Sequence, residues 1–375
     1  MSSTKTHAAA LKPRSVLVLG AGQIGQAIAL KLLDGGGYDL LVADRNLSSL
    51  QRLQALTGLP IAQVQDAAAM ESVIAGQYAV INALPFHQAV AVATLCARHG
   101  VHYFDLTEDV ASTHAIHALA RDARSVLMPQ CGLAPGFIGI VGNELAGRLD
   151  VAQALRLRVG ALPRYPQGSL RYSLTWSTEG LINEYCRPCE VIAQGQLTTV
   201  PALDGLEPVF IDGVEYEAFH TSGGLGMLPQ TWQGRIEQLD YKTIRYPGHR
   251  AAMRLLLTEL RLGERRDLLK ELLEGAIAST QQDVIVILAS ATGQRAGRLV
   301  QESYAARITG ARLRGQTLSA IQHTTAASIC TALDLVSSGR LAQQGFVQQE
   351  SIALEDFLGN RFGRIYDVEG AQASG

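Results

Sequence analysis

Short apolar runs alternate with longer amphipathic stretches through the first third of the chain. Residues 15–19, 38–43, 61–64, 78–82, 101–106 and 125–128 carry runs of Val, Ile, Leu and Tyr that read as buried strands. Residues 24–33, 47–56, 67–74, 88–98 and 112–122 lie between them and read as helices; Leu47, Leu50, Leu53 and Leu56 recur at every third position. This alternation predicts an α/β fold, a doubly wound parallel sheet with helices on both faces. Ligands bind such sheets beyond the carboxyl ends of the strands. Three segments lie at that edge: Asn82-Ala83-Leu84-Pro85, Asp105-Leu106-Thr107-Glu108, and Gln130-Cys131-Gly132-Leu133-Ala134-Pro135-Gly136.

The pattern changes after the last of these segments, whose glycines and proline mark a domain exit. A helix is expected over 137–149. Strands are then expected over 154–162, 169–176, 191–199, 209–211, 283–290 and 300–309, with helices over 179–185, 250–261 and 324–337. This is an α+β domain on a mixed sheet. The expected division is 1–134, 135–323 and 324–375.

The first strand runs into Gly20-Ala21-Gly22-Gln23-Ile24-Gly25, and a helix follows. Strand, G-x-G-x-x-G and helix in that order are the Rossmann fingerprint. Gly20 permits the turn, Gly22 admits a pyrophosphate, and Gly25 lets helix and strand pack closely. The helix N-terminus at Gln23 and Ile24 offers free N–H groups to the anion. Asp44 ends the second strand at about the 20-residue spacing expected of the ribose-binding acid. A carboxylate there favours NAD, and Arg45 beside it leaves NADP open. Ala83, Leu84 and Pro85 complete the expected cofactor contacts.

Composition narrows the class. The 375 residues carry a net charge of −2, which offers no field for nucleic acid or an anionic membrane. A 47% hydrophobic and 18% charged chain has the makings of a well-cored protein. No apolar run is long enough to span a membrane. Residues 1–13 lack a signal-peptide core and read as a loose tail, so the expected location is cytoplasmic. The five cysteines are odd in number and sparse, which points to free thiols; Cys186-Arg187-Pro188-Cys189 has no second pair with which to bind zinc. No histidine spacing suggests a metal site.

Several stretches together resemble the saccharopine dehydrogenase family, including the lysine 6-dehydrogenases. They are Gly20–Gly25 with Asp44, Asn82-Ala83-Leu84-Pro85 with His87, Cys131-Gly132-Leu133-Ala134-Pro135-Gly136, and the segment from Thr175 to Tyr185. Ala218-Phe219-His220-Thr221-Ser222-Gly223-Gly224, Tyr241-Lys242-Thr243-Ile244-Arg245-Tyr246-Pro247-Gly248-His249 and Gly345-Phe346 complete the set. His220 departs from the expected Asn, and Thr178 from Pro or Val. The resemblance implies an inserted catalytic and dimerisation domain, a last segment that returns to the nucleotide domain, and a homodimer. It also implies hydride transfer between NAD(P) and a nitrogen-bearing carbon of lysine or a lysine–glutamate conjugate. Oxidation of the lysine ε-amine comes first, and saccharopine dehydrogenase chemistry is the alternative. A non-catalytic protein that binds dinucleotide is the reading from another class.

Oxidising a CH–NH centre requires an unprotonated amine, and a lysine ammonium has a pKa near 10.4, so a base or a desolvating pocket is needed. Candidate bases are Asp105 first, then Glu108, His87, Lys242 and His249. A substrate carboxylate calls for a guanidinium, Arg245 before Arg171. Tyr185 joins the substrate-binding set through the resemblance. Glu184 or Glu179 could meet an ammonium group. Thr221, Ser222 and Gly223 offer hydroxyl and backbone donors to a carboxylate or ribose.

Overall fold

A parallel sheet occupies the first third of the chain in the computed structural model, which describes residues 13–367. The tail expected over 1–13 lies, Pro13 apart, outside the described residues, as do 368–375. The strands are β1 (Arg14–Leu19), β2 (Tyr38–Asp44), β3 (Ile61–Gln63), β4 (Ala79–Asn82), β5 (His102–Asp105) and β6 (Val126–Met128). Helices α1 (Gln23–Gly35), α2 (Leu47–Thr57), α3 (Ala67–Ile74), α4 (Ala89–His99) and α5 (Val110–Leu119) connect them. Their order in space is β3-β2-β1-β4-β5-β6, the Rossmann order.

Strand β1 shows why these runs are apolar throughout. Val16 and Val18 pack with α1 on one face, while Leu17 and Leu19 pack with α3, α4 and α5 on the other. A parallel sheet covered on both faces has no polar side. The order reverses between β1 and β4, so the loops after these two strands part to form a crevice.

Helix α6 (Phe137–Gly147) leads into the second sheet. Its strands are β7 (Val151–Pro163), β8 (Cys189–Ala193), β9 (Gln196–Val200), β10 (Glu207–Ile211), β11 (Val214–His220), β12 (Gln238–Arg245), β13 (Asp283–Arg295) and β14 (Arg298–Thr309). The main order is β10-β11-β12-β7-β13-β14, and β8 joins β12 to β9. Only β12 and β7 run parallel, so the sheet is mixed. Helices α7 (Thr178–Cys186), α8 (Leu228–Trp232), α9 (His249–Arg254) and α10 (Arg266–Ala276) lie between these strands in sequence. A small hairpin, β15 (Ala311–Leu313) and β16 (Gln316–Leu318), precedes the long helix α11 (Ala320–Ser337). Strand β17 (Gly345–Phe346) then pairs in parallel with β6, so the chain's last segment rejoins the first sheet.

Three expectations change. Residues 169–176 form no strand; the only sheet-like contact there is a bridge from Leu174 to Ser279. Their alternating apolar side chains Leu170, Tyr172, Leu174 and Trp176 pack instead against α7 and α10. The single strand expected over 191–199 is a hairpin, folded at Gln194-Gly195 where both residues have positive φ, as a tight two-residue turn requires. Helix α11 starts at Ala320 rather than 324. Ser319 and Gln322 form a capping box there, and Asp283 accepts hydrogen bonds from the N–H groups of Ala320 and Ile321. The boundary expected at 323/324 therefore falls inside a helix that packs on α1 and on β13 together.

Candidate active site

The loop after β1 is shaped by what its glycines exclude. Gly20 has φ +105°, and a Cβ there would sit 2.9 Å from the Ala83 carbonyl oxygen. A Cβ on Gly25 would overlap the Gly20 carbonyl oxygen. Gly22 is different, since a Cβ there would meet nothing within 4 Å. Gly22 caps α1 with no side-chain bond, and no acidic residue stands in the first turn. An uncapped N-terminus facing open space is an anion site.

Asp44 braces this loop. Its Oδ2 accepts from Ala21 N at 2.7 Å and its Oδ1 from Asn46 N at 2.8 Å. Each oxygen keeps a second lone pair for a ribose hydroxyl. A groove of about 900 Å³ runs from Asp44, Arg45 and Met70 past Gly22 to Leu84, Pro85 and His87. Its far wall comes from the second domain, through Trp176, Ser177, Glu179 and Lys270. The glycines, the bare helix end and the braced acid fit a dinucleotide.

A smaller cavity of about 190 Å³ adjoins the groove, and Leu84, Pro85, Trp176 and Ser177 line both. Ile24, Ala83 and the 132–135 loop form the cofactor side, with Thr107 and Glu108 beside them. Tyr241, Thr243 and Arg245 from β12 and Glu184 from α7 form the opposite side. Alternate residues of a strand share a face, so the β12 trio points in while Lys242 and Ile244 point out. Trp176 lies so close over α7 that a Cβ on Gly180 would overlap its ring.

Arg245 is 3% exposed. Its Nε donates to Tyr185 Oη at 3.0 Å and its Nη1 to the Ile244 carbonyl at 2.9 Å. Among the described residues no carboxylate lies within ion-pair distance of it. Two carboxyls share its cavity. Burial raises Glu108 to about 7, with Asp109 and Asp105 adding to the shift, and its Oε1 has no hydrogen-bond partner. Burial raises Glu184 to about 8; Glu108 pushes it further up and Arg245 pulls it down. A buried cation with no ion-pair partner shares the cavity with two carboxyls that burial raises to neutrality or above.

Comparison with known proteins settles the lineage. Residues 16–128 match the saccharopine dehydrogenase NADP binding domain, and 132–362 match the saccharopine dehydrogenase C-terminal domain. The chain belongs to the saccharopine dehydrogenase family. The family's homologues are NAD(P)-dependent amino-acid dehydrogenases, and the cofactor is a nicotinamide dinucleotide. Mitochondrial alpha-aminoadipic semialdehyde synthases of Mus musculus and Rattus norvegicus are 21% and 20% identical over 257 and 256 residues. Those matches take in 64% of this chain and 27% of each relative's length. An apo saccharopine dehydrogenase (L-Glu forming) from Saccharomyces cerevisiae shares the fold, with a TM-score of 0.73, 15% identity, and 96% and 97% of the two chains covered.

Within this member of the saccharopine dehydrogenase family the expected site residues separate into three groups. Gly22, Ile24, Asp44, Arg45, Ala83, Leu84, Pro85, His87 and Arg245 line the groove or the cavity. Gly20 and Gly25 shape the loop from behind, and Gln23 turns away to bond Gln322 on α11. The remainder lie elsewhere. Asp105 is 1% exposed and accepts from Thr107 N, Gln130 N and Tyr103 Oη, tying together the loops after β5 and β6. Lys242 lies on the outer face of the second sheet, 2.6 Å from Glu207. Arg171 is exposed and lines neither space. Ser222 donates from N to the Glu184 carbonyl and from Oγ to the Pro188 carbonyl. Gly223 abuts the Glu108 backbone. The Thr221-Ser222-Gly223 loop therefore steadies both acids from outside the cavity. Tyr185 and His249 are buried behind Arg245. Trp176, Tyr241 and Thr243 also line these spaces; they are not among the expected site residues, although all three lie in stretches that carry the family resemblance.

Asp44→Ala is expected to raise the KM for NAD about tenfold, since an ionised acceptor and a loop brace are both lost. The rise for NADP should be smaller, because the carboxylate repels a 2′-phosphate. Steady-state KM measurements with both dinucleotides check this.

Proposed function

We propose that the chain oxidises the amine-bearing side-chain carbon of a lysine-like amino acid, with a nicotinamide dinucleotide as acceptor. The observation that carries this reading is Arg245, a buried guanidinium with no carboxylate in ion-pair contact, which has Glu184 beside it and faces Glu108 across a cavity of about 190 Å³. One guanidinium suits one carboxylate. Glu184 lies close enough to Arg245 to feel its charge, so the pair suits the two halves of an α-amino-acid head. Glu108 stands on the cofactor side, where the remote amine of a four-carbon side chain would arrive.

The bound dinucleotide supplies the hydride acceptor. Glu108 takes the ammonium proton, which frees the nitrogen lone pair that must drive hydride loss from the adjacent carbon. The resulting C=N bond adds water, ammonia departs, and an aldehyde remains. Trp176 and the 132–135 loop line the cavity where it meets the cofactor groove. Lysine treated in this way becomes α-aminoadipic semialdehyde, the compound for which the two rodent relatives are named.

The single free guanidinium favours a monocarboxylate over saccharopine, which carries further carboxylates. Homodimer formation and a cytoplasmic location belong to this proposal. Cys96, Cys131, Cys186, Cys189 and Cys330 are all unpaired, which supports a reducing compartment. Among the described residues no helix is long and apolar enough to cross a membrane. The test is NADH or NADPH absorbance with lysine, ornithine, saccharopine and simple diamines. Reduction with lysine in the absence of saccharopine is expected. Activity with saccharopine alone would replace this reading with its rival, and dinucleotide binding without any turnover would leave a sensor.

A further inference from the structure

Two buried side chains, Tyr185 and His249, stand in line behind Arg245. His249 Nδ1 lies 2.8 Å from the Leu170 carbonyl oxygen, which can only accept. That oxygen fixes the proton on Nδ1 and leaves Nε2 with a lone pair. Nε2 lies 3.1 Å from Tyr185 Oη. The tyrosine must therefore donate to the histidine, and its oxygen is left free to accept. What it accepts is the Arg245 Nε–H, at 3.0 Å. Each bond in the series has only one possible direction once the Leu170 carbonyl is in place.

We infer that Tyr185 and His249 are positioning residues which fix the guanidinium of Arg245 for a substrate carboxylate. The inference rests on the function proposed above and adds two residues that do not reach the cavity. With Nε held by Tyr185 and Nη1 anchored on the Ile244 carbonyl, the guanidinium plane is set and Nη2 keeps both of its protons for the cavity. An arginine otherwise loses considerable side-chain freedom when it captures an anion, so prior fixing strengthens binding without a new contact.

The surroundings of His249 preserve this order. Burial, then the charge of Arg245, hold the imidazole down at about 3. Its ring is enclosed by Tyr172, Tyr185 and Phe219, at centroid distances of 5.3, 5.9 and 6.3 Å. The acid beside it, Glu217, is occupied by the N–H groups of Gly248 and Arg250. The bond to the Leu170 carbonyl favours an imidazolium, but burial and Arg245 outweigh it; an imidazolium Nε2–H would compete with Arg245 for the tyrosine oxygen.

The test uses Tyr185→Phe in the full chain, with lysine and with 1,5-diaminopentane, the same carbon skeleton without a carboxylate. Expected is a loss of about tenfold in kcat/KM for lysine, carried by KM, with the diamine changed less than about twofold. Equal losses on both amines would mean general damage and overturn the inference, as would no loss on lysine. A second measurement does not depend on turnover. Nitrogen-15 NMR of labelled histidine, assigned by comparison with His249→Asn, should show His249 as the Nδ1–H tautomer with no titration between about pH 5 and 9. The other tautomer, or a titration in that range, would overturn it. If wild-type protein oxidises neither amine, the functional reading fails while the spectrum still decides the hydrogen-bond series.

Discussion

Glu108→Gln is expected to lower kcat by about a hundred- to ten-thousand-fold, the range that a positioned base contributes. The KM for the dinucleotide should stay within about twofold, because Glu108 does not line the cofactor groove. The substitution keeps the shape of the side chain and removes only its ability to take a proton. Wild-type activity should also depend on pH in a defined direction. Burial raises the Glu108 carboxyl to about 7, so it holds a proton below that pH and is ionised above it. Only the ionised form can accept from the substrate ammonium. Log kcat/KM for lysine should therefore fall in two steps as pH drops, one near 8 as Glu184 loses its charge for the α-ammonium and one near 7 as Glu108 is protonated. The Gln variant should lack the Glu108 step and keep the Glu184 one. A pH profile of both proteins checks the assignment; a variant that keeps both its rate and the lower step would remove Glu108 as the base.

Asp105, the foremost base on sequence grounds, shows what a sequence does and does not disclose. Its place at the end of β5 was legible, since a run of apolar residues ends there. Its duties were not. Thr107 N is two residues away, but Gln130 N comes from the loop after the next strand, and both bond to Asp105 Oδ1. Burial also raises this carboxyl, to about 6, yet it faces the sheet interior and not the cavity. Glu108, three residues on, has left the strand and can turn inward.

Lys242 and Arg245 make the same point through periodicity. Both stood in one motif, but only recognition of residues 238–245 as a strand shows that they oppose each other. Charged and apolar side chains alternate irregularly there because both faces of β12 are buried, one against ion pairs and one against the cavity. The nucleotide half was far more legible. Gly20, Gly22, Gly25 and Asp44 act within one βαβ unit, so local spacing carries the whole geometry. Residues 169–176 misled for the opposite reason. Their alternation is genuine, but it serves a loop that lays Trp176 across two cavities rather than a sheet.

Arg245→Ala should raise the KM for the amino-acid substrate about a hundredfold, the equivalent of losing about 3 kcal/mol of charge-assisted hydrogen bonding. The KM for NAD should be unchanged, since Arg245 lines the inner cavity alone. Three consequences distinguish this from simple disruption. First, 1,5-diaminopentane has no carboxylate to lose, so its kcat/KM should be nearly the same in variant and wild type. Second, Arg245→Lys should rescue poorly, because an ammonium cannot bond Tyr185 Oη and present a planar pair of donors to a carboxylate together. Third, Arg245 holds the Glu184 carboxyl down and the His249 imidazole down, so both should titrate at higher pH once it is gone. The substitution also takes the guanidinium donor from the Tyr185 hydroxyl and the Ile244 carbonyl and opens a cavity, so the variant should melt below the parent while remaining folded. Steady-state kinetics with both amines, beside a thermal melt, decide the matter. An unchanged lysine KM would mean that the carboxylate is held elsewhere, and the case for a monocarboxylate substrate would fall with it.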